Sequence, residues 1–313
     1  MFLRLCGKER FMLRLKLKET FFVFVLTVTN ILGFASFLEA EPMPYVDKSK
    51  VRVVVEPGKQ EYGVMIMENP TGEARAMKVY VEDWYYASTG DGAKEFLPAG
   101  TASRSCASWI TFSPAEFTIP AFGRQRINYS VKVPAGKEGG YFASMFFETG
   151  LSSAKPDEDI TSTSAGINLS LRVATLFYAE AKGTVDRKVD FKNLILKKQD
   201  LKGLVLELDM ENSGNTDVVC SGTYHIINKS GKIFARGKFD NVYTLPADKL
   251  KMSSLWKDNL PAGLYDLVFT FDLGKGLEDT GAGRGPIVTR EYKFEVGADG
   301  AIGSITEQGI KDK

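Results

Sequence analysis

The sequence has few of the side chains that most often perform chemistry. Among 313 residues there are one histidine and three cysteines, which leaves little material for metal binding or thiol catalysis. The 40 basic and 39 acidic side chains nearly balance, so the chain lacks the concentrated positive field that nucleic-acid backbones require. No phosphate loop, dinucleotide fingerprint or Gly-x-Ser-x-Gly elbow occurs. We therefore expect no cofactor, no metal ion, no nucleic-acid partner and no enzymatic activity.

Two isolated features are candidate reactive sites. His225 lies in an apolar run without a cysteine or carboxylate at ligand spacing, which favours a structural or solvent-facing imidazole. The adjacent carboxylates Asp157, Glu158 and Asp159 lie in a Ser/Thr-rich stretch and lack the alternating spacing of a calcium loop. Both features are better explained without catalysis or metal binding.

The longest apolar run lies near the N-terminus. Six basic residues between Arg4 and Lys18 precede the run Phe21 to Phe37, and small residues lie near its end at Ala35 and Ala40. This arrangement is typical of a secretory signal peptide, so we expect residues 1–40 to be removed on export. An uncleaved N-terminal anchor is the alternative, although the run is short for a membrane span of roughly 20 residues. The mature chain is expected in the periplasm or outside the cell, without an integral membrane span.

From Val51 onward, apolar and polar side chains alternate with the period of two that is typical of β-strands. Short strands follow one another at intervals of about ten residues with turn residues between them, and no segment has a sustained helical period. This pattern predicts an all-β protein with two tandem immunoglobulin-like β-sandwiches. We place them at residues 48–182 and 188–297, followed by a polar tail over residues 298–313. The two cysteines of the mature chain, Cys106 and Cys220, are expected to be unpaired.

Short signatures recur in the two halves. Met67-Glu68-Asn69 ends a strand before a glycine-bearing turn, and Met210-Glu211-Asn212 does the same in the second half. Pro134-Ala135-Gly136 is similar to Pro261-Ala262-Gly263, and both precede an aromatic-rich strand. These signatures favour two related sandwiches, although chance similarity between β-rich segments is the alternative.

The first half also carries a series of motifs that match a known family. They are Arg52-Val53-Val54-Val55 before Pro57-Gly58, a strand ending at Trp84, Phe112-Ser113-Pro114, Gln125-Arg126-Ile127, and Leu176-Phe177-Tyr178. With these motifs, the first half resembles the N-terminal domain of periplasmic pilus-assembly chaperones, the PapD-like group. The second half is similar to that group only in being a β-sandwich.

This resemblance implies a mechanism of β-strand addition, in which an exposed edge strand pairs with an incomplete partner domain. The partners would be protein subunits, either pilin-like or surface proteins. Two basic residues of that family bind the partner's terminal carboxylate; Arg52 matches the first, and Thr175 stands in place of the second. The resemblance thus implies partner binding by Arg52, Ile167, Leu169, Leu171, Arg172 and Val173. A strand simply half-buried in its own sandwich is the alternative.

A second resemblance points to another class of protein. Gly139-Gly140-Tyr141 and the aromatic run after it are similar to the peptidoglycan-binding region of WxL-interacting proteins. This likeness implies a secreted wall-associated or adhesion protein with peptidoglycan contact. Trp84-Tyr85-Tyr86 would then be a candidate sugar-stacking surface, although consecutive residues of a strand point in opposite directions.

Overall fold

The computed structural model describes residues 42–151, 169–199, 203–278, 280–282 and 284–312. The expected signal segment and the acidic triplet at residues 157–159 lie outside these ranges. Nearly all regular structure is β-strand. Within the described ranges, no helix is long and apolar enough to cross a membrane.

The first sandwich contains ten strands in two sheets. They are β1 (Tyr45–Val46), β2 (Lys50–Val55), β3 (Gln60–Glu68), β4 (Arg75–Tyr86), β5 (Lys94–Leu97), β6 (Ile110–Ser113), β7 (Glu116–Ile119), β8 (Arg124–Lys132), β9 (Gly140–Leu151) and β10 (Leu169–Ala181). One sheet has the order β1-β3-β8-β6, and the other has the order β2-β10-β9-β4-β5 with β7 also paired to β4. A short 3-10 helix, Ala107–Trp109, precedes β6. All pairs are antiparallel except β2 and β10, which are parallel.

The second sandwich contains nine strands. They are β11 (Val189–Gln199), β12 (Gly203–Asn212), β13 (Val218–Asn228), β14 (Ile233–Lys238), β15 (Val242–Thr244), β16 (Lys249–Trp256), β17 (Gly263–Asp272), β18 (Ile287–Val296) and β19 (Thr306–Asp312). Its small sheet has the order β11-β12-β16, and its large sheet has the order β14-β13-β17-β18-β19 with β15 also paired to β13. A single helical turn, α1 (Lys275–Glu278), follows β17.

Each sandwich buries its own core along the alternation read from the sequence. Val51, Val53 and Val55 of β2 point into the first core, whereas Val54 points outward. In the second sandwich, Leu204, Leu206 and Leu208 alternate in the same way, and a separate core cluster forms there. The all-β fold class with two immunoglobulin-like sandwiches is therefore confirmed.

The repeated Met-Glu-Asn signature has one structural role in both sandwiches. Asn69 is buried and its amide nitrogen donates to the Glu73 and Pro120 carbonyls at 2.7 and 3.0 Å. Asn212 is equally buried, donates to the Thr216 carbonyl at 3.0 Å, and accepts from the Gly214 amide at 3.1 Å. In each sandwich, a buried asparagine thus satisfies the backbone of the turn that follows its strand.

One expectation about the end of the chain is wrong. We expected residues 298–313 to form a polar tail, but β19 within this segment pairs with β18 and becomes the last strand of the large sheet. Its polar residues gave no period-two apolar signal, because an edge strand can keep both faces in water. Cys106 and Cys220 are both buried and free, and burial raises the pKa of each thiol above its ordinary range.

We predict that Asn69→Ala and Asn212→Ala each lower the free energy of unfolding by about 1–3 kcal/mol, because each leaves buried carbonyl or amide groups unpaired. Urea denaturation of the purified protein measures this change. Asn128→Ala is the matched control: Asn128 is exposed on β8, and among the described residues its side chain accepts only from Arg126, so its effect should stay within about 0.5 kcal/mol. Equal effects of all three variants would contradict the proposed role.

Candidate functional site

Strand β10 has one margin that is only half covered. Along its whole length β10 pairs with β9, from Leu169 opposite Leu151 to Glu180 opposite Gly140. On its other side, β2 pairs with it only from Leu176 to Ala181. No described residue pairs with the outer side of residues 169–174. We call this open side of residues 169–174 the β10 margin.

The direction of the backbone groups on this margin follows from the β2 pairing. The Leu176 amide donates to the Ser49 carbonyl at 2.9 Å, and the Lys182 amide donates to the Val55 carbonyl at 2.9 Å. Even-numbered residues therefore direct their N–H and C=O groups toward the β2 side, since alternate residues of a strand face opposite neighbours. The register with β9 has no irregularity over residues 169–180. Ser170, Arg172 and Ala174 thus present their backbone groups to the open margin.

The odd-numbered side chains of this strand point toward the first core but become less covered toward its beginning. Val173 is partly buried and packs against the core, Leu171 is partly buried, and Leu169 is 60 % exposed. Ile167, the fourth apolar residue expected here, lies outside the described residues. The margin therefore combines unpaired backbone with an apolar row that the sandwich covers incompletely.

Thr175 marks the point where coverage begins. Its buried hydroxyl donates to the Lys48 carbonyl at 2.6 Å, just before β2 starts. Upstream of Lys48, β1 belongs to the opposite sheet and pairs with β3. The chain thus crosses from one sheet to the other immediately before it reaches β10, and no described strand pairs with the outer side of residues 169–174.

Arg172 lies on the outer face of the sheet beside the margin. Its guanidinium forms an ion pair with Glu82 at 2.8 Å and lies 4.0 Å from the ring centroid of Phe146. The side chain is 39 % exposed. These contacts fix the position of the cation, while its backbone groups face the open margin.

Arg52 has an environment that the sequence did not reveal. Its guanidinium donates to both carboxylate oxygens of Asp217 at 2.9 and 2.7 Å, and it also forms an ion pair with Glu180. Arg187 pairs with the same Glu180 carboxylate. The Arg52 side chain is 2 % exposed and lies over the Tyr178 ring, with 4.5 Å to the centroid. It is therefore already bound within its own chain.

The expectation that Arg52 binds a partner's carboxylate does not fit this environment. Burial alone would lower the pKa of the guanidinium, but the hydrogen bonds and charges of Asp217 and Glu180 outweigh burial and raise it. Arg52 is thus a permanent cation that joins the two sandwiches. Asp217 is 165 positions away in sequence, and no local motif signals this pairing.

The glycine pair Gly139-Gly140 also serves the contact between the sandwiches. The Gly140 amide donates to the Asn215 carbonyl at 2.9 Å, and Gly139 has a φ of 78°. A Cβ at Gly139 would clash with Asn215, and one at Gly140 would clash with Thr216. Close backbone approach therefore explains both glycines.

Two of the three aromatic residues proposed as a sugar-stacking surface, Trp84 and Tyr86, lie in the same contact region, whereas Tyr85 is exposed and its hydroxyl donates to Glu95. Trp84 and Tyr86 are buried with Phe142, Leu176 and Tyr178, and Tyr243 and Leu245 of the second sandwich pack against them. Trp84 has edge-to-face contacts with Phe142 and Tyr178 at 5.7 and 5.4 Å. Trp84 and Tyr86 thus stabilise the contact between the sandwiches and are not available to stack on a sugar. Within the described ranges, no cluster of three His, Cys, Asp or Glu side chains has metal-site geometry.

Comparison with known proteins gives structural matches alone. No family model matches the chain, and no curated protein matches it in sequence. A class 5 fimbriae chaperone, CfaA, matches with 16 % identity and a TM-score of 0.39, covering 74 % of this chain and 92 % of that one. A chain from the complex of Salmonella enterica SafA pilin with the SafB chaperone matches with 10 % identity and a TM-score of 0.38, covering 86 % and 97 %.

A third match comes from the CsuC-CsuE chaperone-tip adhesion subunit pre-assembly complex of Acinetobacter baumannii. Its identity is 10 % and its TM-score 0.37, with 87 % of this chain and 98 % of that chain covered. At such identities and TM-scores the likeness carries no argument about function, which therefore depends on the side chains and backbone described above.

We predict that Arg52→Ala lowers the free energy of unfolding by about 3–5 kcal/mol. The variant leaves the buried carboxylates of Asp217 and Glu180 without the guanidinium that pairs with them. Arg52→Lys should have an intermediate effect, since lysine keeps the charge but cannot form the bidentate hydrogen bonds to Asp217. Arg126→Ala, on the exposed face of β8, is the control and should change stability by less than about 0.5 kcal/mol. Chemical denaturation followed by circular dichroism gives all three values, and an Arg52→Ala protein as stable as the control would refute this role.

Proposed function

We propose that this protein is an exported, non-enzymatic, chaperone-like protein that binds pilus or surface subunits by adding one of their strands to the β10 margin. One observation carries the proposal: the outward backbone N–H and C=O groups of Ser170, Arg172 and Ala174 have no pairing strand among the described residues. An added strand would accept and donate main-chain hydrogen bonds there, and its inward apolar side chains would pack beside the incompletely covered Leu169 and Leu171.

The chemistry of the margin supports this use. Natural edge strands are usually shielded by lysines, prolines or bulges, because unpaired backbone promotes aggregation. Residues 169–174 contain no proline and no lysine, their pairing with β9 is regular, and their one cation, Arg172, is held by Glu82. An edge without these devices is a liability in a protein that has no partner for it.

The environment of Arg52 limits how a partner is held. Because Arg52 is buried and bound to Asp217 and Glu180, we leave it out of the proposed binding surface. Thr175 likewise uses its hydroxyl on the Lys48 carbonyl. Affinity in this proposal therefore comes from main-chain hydrogen bonds and apolar burial, without a buried carboxylate at Arg52.

The backbone requirement is tested by Ser170→Pro. Proline removes the outward N–H at this position without removing a hydrogen bond to β9, and proline is tolerated on edge strands. We expect a near-normal unfolding midpoint and a loss of affinity for the captured subunit of about tenfold or more. Tagged protein is incubated with an envelope extract of the source cells, the bound polypeptide is identified by mass spectrometry, and its affinity is then measured after purification.

Ser170→Ala is the matched control, because it keeps the amide and loses only the hydroxyl; it should bind like the unchanged protein. Hydrogen exchange of the complex gives a second readout. The amides of Ser170 and Arg172 should become protected on binding, whereas that of Leu171, already bonded to β9, should change little. If Ser170→Pro binds the same subunit with unchanged affinity, strand addition at the β10 margin is wrong.

The side-chain requirement is tested by Leu169→Glu. Leu169 is largely exposed in the free protein, so the change should leave stability nearly unaffected. In the complex, the carboxylate would lie against the apolar side chains of the added strand, and we expect binding to weaken at least tenfold. Tyr62→Glu, at an even more exposed apolar position on β3, is the control. Equal binding by Leu169→Glu and Tyr62→Glu would exclude Leu169 from the contact.

A further inference from the structure

The second sandwich has a side on which the end strands of its two sheets meet. β14 is the end strand of the large sheet and β16 is the end strand of the small sheet. The Ser254 hydroxyl of β16 donates to the Lys238 carbonyl of β14 at 2.7 Å. We call the segments 229–240 and 249–258, which contain these strands and their flanking residues, the β14–β16 seam.

The seam is strongly basic although the protein is nearly neutral. It contains seven basic and two acidic side chains, the acidic ones being Asp240 and Asp258. Lys249 and Lys251 form ion pairs with Glu211 and Glu207 at 3.4 and 3.7 Å. Within the described ranges, no ion pair involves the other five basic residues, which are Lys229, Lys232, Arg236, Lys238 and Lys257. The positive field of the seam is thus mostly uncompensated by its own chain.

Large apolar side chains are exposed at one end of this seam. Ile233 and Phe234 at the start of β14 are 52 % and 41 % exposed. Leu255 near the end of β16 and Leu264 near the start of β17 are 42 % and 43 % exposed. The Phe234 ring lies 6.2 Å from Trp256 and 6.0 Å from Tyr265, between centroids, so these positions belong to one end of the sandwich.

The apolar groups do not lie on a single face. Leu255 and Trp256 are consecutive in β16, and Leu264 and Tyr265 are consecutive in β17, so the members of each pair point to opposite sides of their sheet. Trp256 and Tyr265 contact Phe234 between the sheets. Leu255 and Leu264 consequently lie on the two outer faces of the sandwich. One flat protein surface could not contact side chains on both outer faces at once. A fluid lipid surface can deform around this end of the sandwich and contact both faces.

Protection of edge strands explains only part of this arrangement. Lysines on β14 and β16 would deter pairing with other strands. They do not account for four exposed apolar side chains beside them, which such protection would normally avoid. Basic residues around exposed aromatic and aliphatic groups are instead the combination that binds the headgroup region of an anionic membrane.

We propose that this end of the second sandwich binds the surface of an anionic membrane, with Ile233, Phe234, Leu255 and Leu264 among the headgroups and the seam lysines on their phosphates. The contact is peripheral and does not involve a membrane span. It uses a surface separate from the β10 margin, so it does not depend on strand addition.

The test is vesicle binding by the exported form of the protein, measured by co-sedimentation and tryptophan fluorescence. Trp84 and Trp109 are buried, so the partly exposed Trp256 is the main reporter among the three tryptophans. Vesicles of phosphatidylglycerol and phosphatidylethanolamine should bind the protein and shift its emission to the blue, and added salt should weaken binding. Vesicles of phosphatidylcholine alone should bind at least tenfold more weakly.

Variants separate the two components of the contact. Lys229→Ala with Lys232→Ala should weaken binding to anionic vesicles by roughly tenfold or more. Phe234→Ser should reduce both binding and the blue shift. The matched controls are Lys59→Ala with Lys132→Ala, and Tyr62→Ser, all at exposed positions of the first sandwich; these should bind normally. Absence of binding, equal effects in seam and control variants, or salt-sensitive binding without a Trp256 shift would each overturn the proposal.

Discussion

The crossing of the chain between sheets near Lys48 determines which backbone groups of the first sandwich remain unpaired. β1 ends at Val46 in one sheet, and β2 begins at Lys50 in the other. Within the part of the chain that the structure describes, these two strands do not cover the full length of β10, so its first six residues have no hydrogen-bonded strand on that side. The buried hydroxyl of Thr175 fixes the crossing by holding the Lys48 carbonyl. The position of the proposed binding surface therefore follows from a single topological step.

A buried group of opposite charges determines how the second sandwich meets the first. Arg52 forms ion pairs with two carboxylates from different parts of the chain, those of Asp217 and Glu180. Arg187 also pairs with Glu180. Burying charges has a large desolvation cost that their mutual attraction offsets only when the geometry is good. We therefore expect this group to select one arrangement of the sandwiches more than to add net stability. The aromatic cluster around Trp84 supplies the apolar part of the same contact.

The sequence predicted features that depend on local periodicity and missed those that depend on distant pairing. The alternation of Val51, Val53 and Val55 is a local property, and it correctly predicted the core face of β2. Asn69 and Asn212 recur in matching contexts because each completes a turn within a few residues. Asp217, in contrast, reaches Arg52 only through the relative position of the two sandwiches, which no short motif encodes. The strand β19 was missed because polar edge strands carry no amphipathic pattern.

The β10 margin and the β14–β16 seam differ in how strongly they favour an added strand. The β14–β16 seam carries seven basic side chains, and these would repel each other and disfavour an added strand unless it were acidic. The β10 margin has only Arg172, whose charge is held by Glu82. Strand addition is therefore favoured at one side and opposed at the other, so a subunit bound at β10 would leave the seam free. A protein built in this way could hold a partner on its first sandwich while its second sandwich contacts a charged surface.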